Sequence, residues 1–250
     1  MKYDGSDIKM VWVDLDDTLI DFRANSREAL ANLYNKEKLG RFWSDAQSWA
    51  DCYEKYNMRL WAAYNLDRIS RDYLMMERFR LPLVEAGLSD SEARAMSARM
   101  SDEYFDLLAA EKRTEPGAFD LLRLLRSEGV GIGILSNGFH EVQYRKIRSA
   151  GLDPYVDIVV LSDDIGVNKP DVRLYRYAQE RSGVADPGAH MMIGDNPDTD
   201  IEGALAAGWK AVGYFKGQEN PVVRHPRFVS VNALPLVGDM IDLDAALKNG

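Results

Sequence analysis

The chain changes its hydrophobic rhythm twice. Ile8, Met10, Val11, Trp12 and Val13 form a short run, apolar on both faces, that stops abruptly at Asp14-Leu15-Asp16-Asp17-Thr18. Such a run fits a strand buried inside a parallel sheet. From about Asp21 to Ala110 Val and Ile are scarce and Pro82 is the only proline. Apolar residues recur there at spacings of three and four, as in Leu30, Leu33 and Tyr34 or Tyr53, Tyr56, Leu60 and Trp61. That stretch predicts a bundle of about four or five helices.

Thr114-Glu115-Pro116-Gly117 breaks the helical pattern, and beyond it helix and strand alternate. The expected helices cover 118–127, 141–149, 171–181, 201–207 and 236–247, and the expected strands 130–135, 158–161, 190–193, 211–215 and 227–231. Strands joined by helical crossovers make a doubly wound parallel sheet with helices on both faces. The expectation is therefore an α/β, Rossmann-like core built from residues 1–20 and 111–250. An α-helical domain, 21–110, is inserted after the first strand.

Composition narrows the function. The 250 residues carry 40 acidic and 31 basic side chains, a formal net charge of -9, and this opposes binding to a nucleic-acid polymer, which takes a basic stripe. One cysteine, Cys52, excludes an intramolecular disulfide. Met1 to Lys9 has no apolar segment and no run of about 18 apolar residues occurs, so neither a signal peptide nor a membrane span is expected. Cytoplasm is the expected location.

In an open α/β sheet the ligand lies outside the carboxyl ends of the strands. Just after the expected strands stand Asp14, Asp16 and Thr18, then Ser136 and Asn137, then Lys169, then Asp195 and Asp200. Carboxylates crowded in one crevice repel one another unless a cation sits between them, and oxygen ligands suit Mg²⁺. A divalent cation and an ammonium would neutralise phosphoryl oxygens, which is most of what phosphoryl transfer needs. Ser136 can donate to a phosphate, helped by backbone N–H groups where the next helix begins. Of two aspartates spaced i, i+2, one carboxylate can attack phosphorus while the other protonates the leaving alkoxide and later activates water.

Asp14-Leu15-Asp16-Asp17-Thr18, Ser136-Asn137-Gly138, Lys169-Pro170 and Gly194-Asp195 followed by Asp200 resemble the four ordered motifs of the haloacid dehalogenase (HAD) superfamily, and the helical insert resembles its capped subclass. The resemblance implies that Asp14 is the nucleophile, Asp16 the general acid/base, Ser136 and Asn137 substrate ligands and Lys169 a catalytic and substrate-binding charge. It implies Mg²⁺ held by Asp14, the Asp16 backbone carbonyl and Asp195, with Asp200 supporting the metal and Thr18 the acid/base region. Leu135 to Phe139, Gln143, Gly151-Leu152 and Ser162 to Val167 are further similar to HAD 5'-nucleotidases acting on pyrimidine monophosphates, a likeness shared in part with acylneuraminate-phosphate phosphatases. The implied substrate is a small phosphorylated metabolite: a nucleoside 5'-monophosphate, with sugar phosphates as the alternative.

Each motif also has a plainer explanation. Asp-x-Asp-x-Thr alone reads as a solvated turn, Ser136-Asn137-Gly138 as a helix cap, and Asp195 with Asp200 as acids favouring a helix N-terminus. Four such signals in order, each at a strand end, outweigh those readings. Asp16 disfavours a dehalogenase, which needs no leaving-group acid, and a receiver-type signalling module, which needs no base for hydrolysis. Asn196 is a candidate supporter of the metal site. Asp17, Asp198 and His140 read as structural or capping residues, and Phe22, Trp43, Trp49, Trp61, Tyr64 and Tyr73 as helix-packing rings rather than base-stacking ones.

Overall fold

A computed structural model describes residues 3–4, 8–217 and 227–242. In chain order the elements are β1 (Tyr3–Asp4), β2 (Met10–Val13), α1 (Phe22–Lys36), α2 (Ala46–Asn65), α3 (Arg71–Glu85) and α4 (Asp90–Ala110). There follow α5 (Ala118–Ser127), β3 (Gly131–Ser136), α6 (His140–Ser149), β4 (Ile158–Leu161), α7 (Val172–Ser182) and β5 (His190–Gly194). The described chain closes with α8 (Glu202–Ala206), β6 (Lys210–Tyr214), β7 (Phe228–Val231), α9 (Leu236–Met240) and β8 (Ile241–Asp242).

Six strands form a parallel sheet in the order β4-β3-β2-β5-β6-β7. The fold is thus the α/β, Rossmann-like sheet that the alternation implies, with β2 at its centre. All four residues of β2 are buried, as a strand covered on both faces requires. Trp12, Met10, Leu135, Met192, Tyr175 and Trp209 pack in one core cluster against that sheet. Trp209 stacks on both Trp12 and His190, and the Trp12 indole donates to His190 Nδ1 at 3.0 Å. His190 Nε2 lies 2.9 Å from the Val184 carbonyl, so the buried imidazole has a partner at each nitrogen.

The chain divides into two compact units: residues 1–21, 114–140 and 150–250 in the first, and residues 22–113 with 141–149 in the second. In the second unit α1 to α4 surround a core of Leu30, Leu33, Trp49, Tyr53, Phe79 and Tyr104. Tyr53 and Phe79 ring centroids lie 4.9 Å apart, and both touch Tyr104 at 5.5 Å. Side-chain caps set the helix starts: Asp45 accepts from the Ser48 N–H, Ser70 from the Tyr73 N–H, and Ser89 forms a reciprocal box with Glu92. Trp49 is fully buried, Trp61 and Tyr64 meet edge to face, and Tyr73 stands exposed.

Three details differ from the sequence pattern. The pair β1 and β8 forms a separate two-stranded sheet, too short at two residues each to leave a periodic signal. The helix expected at 201–207 is preceded by a π-helical turn over Pro197–Ile201, so the regular helix starts at Glu202. The last expected helix, 236–247, ends at Met240 and gives way to β8, and residues 243–250 lie outside the described residues.

Candidate active site

All the residues singled out at strand ends lie in the first unit. The register explains why they meet. Val13 pairs with Ile134 on one side and Ile193 on the other, so one residue further on Asp14 stands level with the end of β3 and with Gly194. The Asp14 N–H continues the ladder to the Ile193 carbonyl at 2.9 Å. Beyond it the chain doubles back tightly: the Ile20 N–H donates to the Leu15 carbonyl, and Asp17 adopts φ 58°. Asp16 lies half-buried on that loop, while Thr18 is fully buried with its Oγ1 unpartnered.

Lys169 is 2% exposed, and the donors of its ammonium go to three oxygens: Asp14 Oδ1 at 2.6 Å, Asp200 Oδ1 at 2.6 Å and the Leu135 carbonyl at 2.9 Å. An ammonium has three N–H bonds, so these contacts use all of them. Asp14, Asp195 and Asp200 offer carboxylate oxygens within 4.8 Å of one another. Of these three carboxylates, Asp14 and Asp200 contact the Lys169 ammonium, and half-buried Asp195 stands beside them. Burial pushes Asp14 well above the usual carboxylate range, the neighbouring Asp200 and Asp195 charges push the same way, and Lys169 opposes them. Burial, then Asp200 and Asp17, raise Asp195 up to about 7. Burial alone would lower Lys169, but attraction to Asp14 and Asp200 and the hydrogen bonds to both outweigh it, and it is raised. The crevice therefore holds surplus negative charge, and an all-oxygen donor set of this kind fits a hard divalent cation.

Ser136, at the end of β3, is 3% exposed, and its Oγ accepts from the Gly138 N–H at 3.2 Å. The Asn137 carboxamide turns to Lys169: its Oδ1 accepts from the Lys169 N–H at 2.7 Å and its Nδ2 donates to the Lys169 carbonyl at 3.1 Å. The resemblance had implied a substrate ligand at this position. His140 opens α6, where its N–H donates to Asp163 Oδ2 at 3.1 Å and its Nε2 lies 2.7 Å from Asp164 Oδ1. It ties the loop after β3 to the loop after β4.

Residues 8–208 match the haloacid dehalogenase-like hydrolase family. The chain belongs to that family. Among its relatives are a phosphoserine phosphatase of Thermus thermophilus, 30% identical over 84% of this chain and 90% of the relative. A pyrimidine 5'-nucleotidase of Escherichia coli is 28% identical over 83% of this chain and 84% of the relative. The crystal structure of the magnesium-bound HAD-hydrolase YfnB of Bacillus subtilis aligns at a TM-score of 0.76 and 26% identity, covering 93% of this chain and 98% of that one.

In this HAD-like hydrolase, side chains outside the motifs hold the acids in place. Asp200 is 1% exposed, and its Oδ2 accepts from the Asn196 N–H at 3.1 Å. Asn196 Oδ1 in turn caps the π-helical turn through the Asp198 and Thr199 N–H groups, so Asn196 acts on Asp200, while exposed Asp198 sits in the first turn of that element. Gly194 is required by contact: a Cβ there would overlap the Asp200 carboxylate. Sequence reasoning missed Tyr175 on α7. Its buried hydroxyl donates to the Thr199 carbonyl at 2.7 Å and the Asp200 carbonyl at 3.2 Å, and a Cβ on Gly203 would strike its ring. A tyrosine at helical spacing reads as core, so nothing in the pattern marks it.

A second acidic group, Asp17, Asp21 and Glu115, also brings its oxygens within 4.8 Å. Its buried member, Glu115, already pairs with Lys216 and accepts from the Tyr214 hydroxyl at 3.0 Å. These contacts fasten the chain where it returns at Thr114, beside the Ile20–Thr114 bridge. No helix among the described residues is long and apolar enough to cross a membrane.

Proposed function

We propose that the protein is a Mg²⁺-dependent phosphomonoesterase that works through an aspartyl-phosphate on Asp14. One observation carries the reading: the Lys169 ammonium bridges Asp14 and Asp200 while Asp195 stands within reach of both, and Asp16 follows Asp14 by two residues. Asp14, Asp195 and the Asp16 carbonyl would hold the ion, with Asp200 supporting it. When bound, the ion offsets the charge of the carboxylates and of the phosphoryl oxygens.

The chain's own groups account for the rest. Lys169 opposes the effect of burial on Asp14 and fixes its Oδ1, and a bound cation would further favour the carboxylate form that a nucleophile requires. An Asp14 oxygen attacks phosphorus, the ester P–O bond breaks, and Asp16 gives its proton to the departing alkoxide. The Asp16 carboxylate then takes a proton from water, the water oxygen attacks phosphorus, and the Asp14–phosphorus bond breaks to release inorganic phosphate. Ser136 and the N–H groups at the start of α6 bind phosphate oxygens.

The two curated relatives act on different phosphate esters by name, which supports phosphomonoester hydrolysis as the shared chemistry. The motif likeness to the pyrimidine nucleotidases favours a nucleoside 5'-monophosphate, with a sugar phosphate as the second reading. We assign the helical unit, residues 22–113, the role of cap and specificity element. A panel of nucleoside monophosphates, sugar phosphates and phosphoserine, run with Mg²⁺ and again in EDTA, tests this. Preferred turnover of pyrimidine nucleotides supports the substrate, sugar-phosphate turnover alone retires it, and full turnover in EDTA contradicts the metal.

A further inference from the structure

Asn137 stands one residue after the serine assigned to phosphate, where a substrate ligand is the natural expectation. Its carboxamide is instead committed to both polar groups of the Lys169 main chain, at 2.7 and 3.1 Å. This clasp joins the loop after β3 to the loop carrying Lys169, 32 residues away in the chain. The Lys169 side chain then reaches back to the Leu135 carbonyl on the same β3 strand. Backbone and ammonium are thus both referenced to one strand end.

We propose that Asn137 is a positioning residue: it sets the Lys169 backbone so that the ammonium bridges Asp14 and Asp200, and its side chain does not contact substrate. The chemistry explains the choice of residue. A backbone N–H and a backbone C=O on one residue need a side chain that both accepts and donates in one plane, which an amide supplies and a carboxylate does not. The precision matters because Lys169 has no spare donor with which to compensate for a shift. A displacement of about 1 Å at a catalytic constellation costs about a hundredfold in rate.

The kinetic part of the test rests on the phosphatase reading. In N137A, kcat for p-nitrophenyl phosphate falls about 10- to 100-fold, while KM and inhibition by inorganic phosphate stay within about twofold of wild type. A ligand to substrate would give the reverse, with KM and phosphate inhibition weakened. Because Asn137 acts through the ammonium, N137A adds nothing to the loss already caused by K169M; additive losses overturn the proposal. The Asn137→Asp variant sets a carboxylate oxygen against the Lys169 carbonyl oxygen, so it does not restore the N137A loss, and recovery of the wild-type rate in it overturns the proposal. A crystal structure of N137A decides the matter without reference to activity. Loss of the Lys169 contact to Asp14 or Asp200 supports the clasp, and retention of both overturns it. Wild-type protein that turns over no phosphate ester would refute the phosphatase reading and leave that structural comparison intact.

Discussion

Replacing Asp195 with Asn should stabilise the metal-free protein, although it removes a residue assigned to the active site. In the wild type, burial and then the Asp200 and Asp17 charges move the Asp195 carboxyl from 3.8 up to about 7. The folded state therefore holds this proton more tightly than the unfolded chain does. Its contribution to stability is fully present below about pH 4 and is lost as pH rises through about 7. At about 1.4 kcal/mol per pH unit over that interval, the ceiling is about 4 kcal/mol. Asp14 lies in the same cluster and competes for protons, so about 2 kcal/mol is expected from the single substitution. Asn is close in shape and carries no charge. Urea denaturation in EDTA at pH 8 should place the D195N midpoint about 0.5–1 M above wild type, and the two should converge near pH 4. Saturating Mg²⁺ should reverse the order, because an ion at about a hundred times its Kd adds about 2.7 kcal/mol to the protein that binds it. A D195N protein no more stable than wild type at pH 8 in EDTA would refute the claim of surplus charge.

Two further outcomes follow from the geometry. Gly194→Ala forces a methyl group against the Asp200 carboxylate, which should cost about 1–3 kcal/mol and reduce the rise in Tm on adding Mg²⁺; an unchanged Mg²⁺ response would contradict the contact. Burial pulls His190 below its ordinary value, with its bond to the Val184 carbonyl opposing. Its stabilising contribution is present above pH 6.5 and is lost as pH falls below it, so the Tm gap between wild type and H190Q should shrink between pH 6.5 and 5. A gap constant across that range would contradict it.

Much of this site was legible because a parallel strand leaves a distinct trace. The apolar run ending at Val13 stops at Asp14, and the register carries that stop across to Ser136 and Asp195. Lys169 and Asp200 were legible as types in order, but their ion pair was not, since it depends on a loop conformation. That conformation is set by Asn137, whose amide faces a backbone 32 residues on. Tyr175 was hidden for the same reason: it acts through the close approach of a hydroxyl to two carbonyls, which leaves neither a period nor a charge to read, whereas Gly194 was legible as part of a motif but its close approach to the Asp200 carboxylate was not. The helical unit was legible as helices from spacing, while its buried cluster of Trp49, Tyr53, Phe79 and Tyr104 rings needed the fold to be seen.

The central claim is that Asp14 becomes covalently phosphorylated and Asp16 governs the release. The Asp16→Asn variant still has the nucleophile, and p-nitrophenolate leaves without needing a proton, so attack should proceed while hydrolysis stalls. Incubated with Mg²⁺ and p-nitrophenyl phosphate, then quenched in acid and digested, D16N should carry a single phosphoryl group on the peptide containing Asp14. The D14N/D16N double variant should carry none. Phosphate found on Ser136, or turnover by D14N at the wild-type rate, would contradict the account.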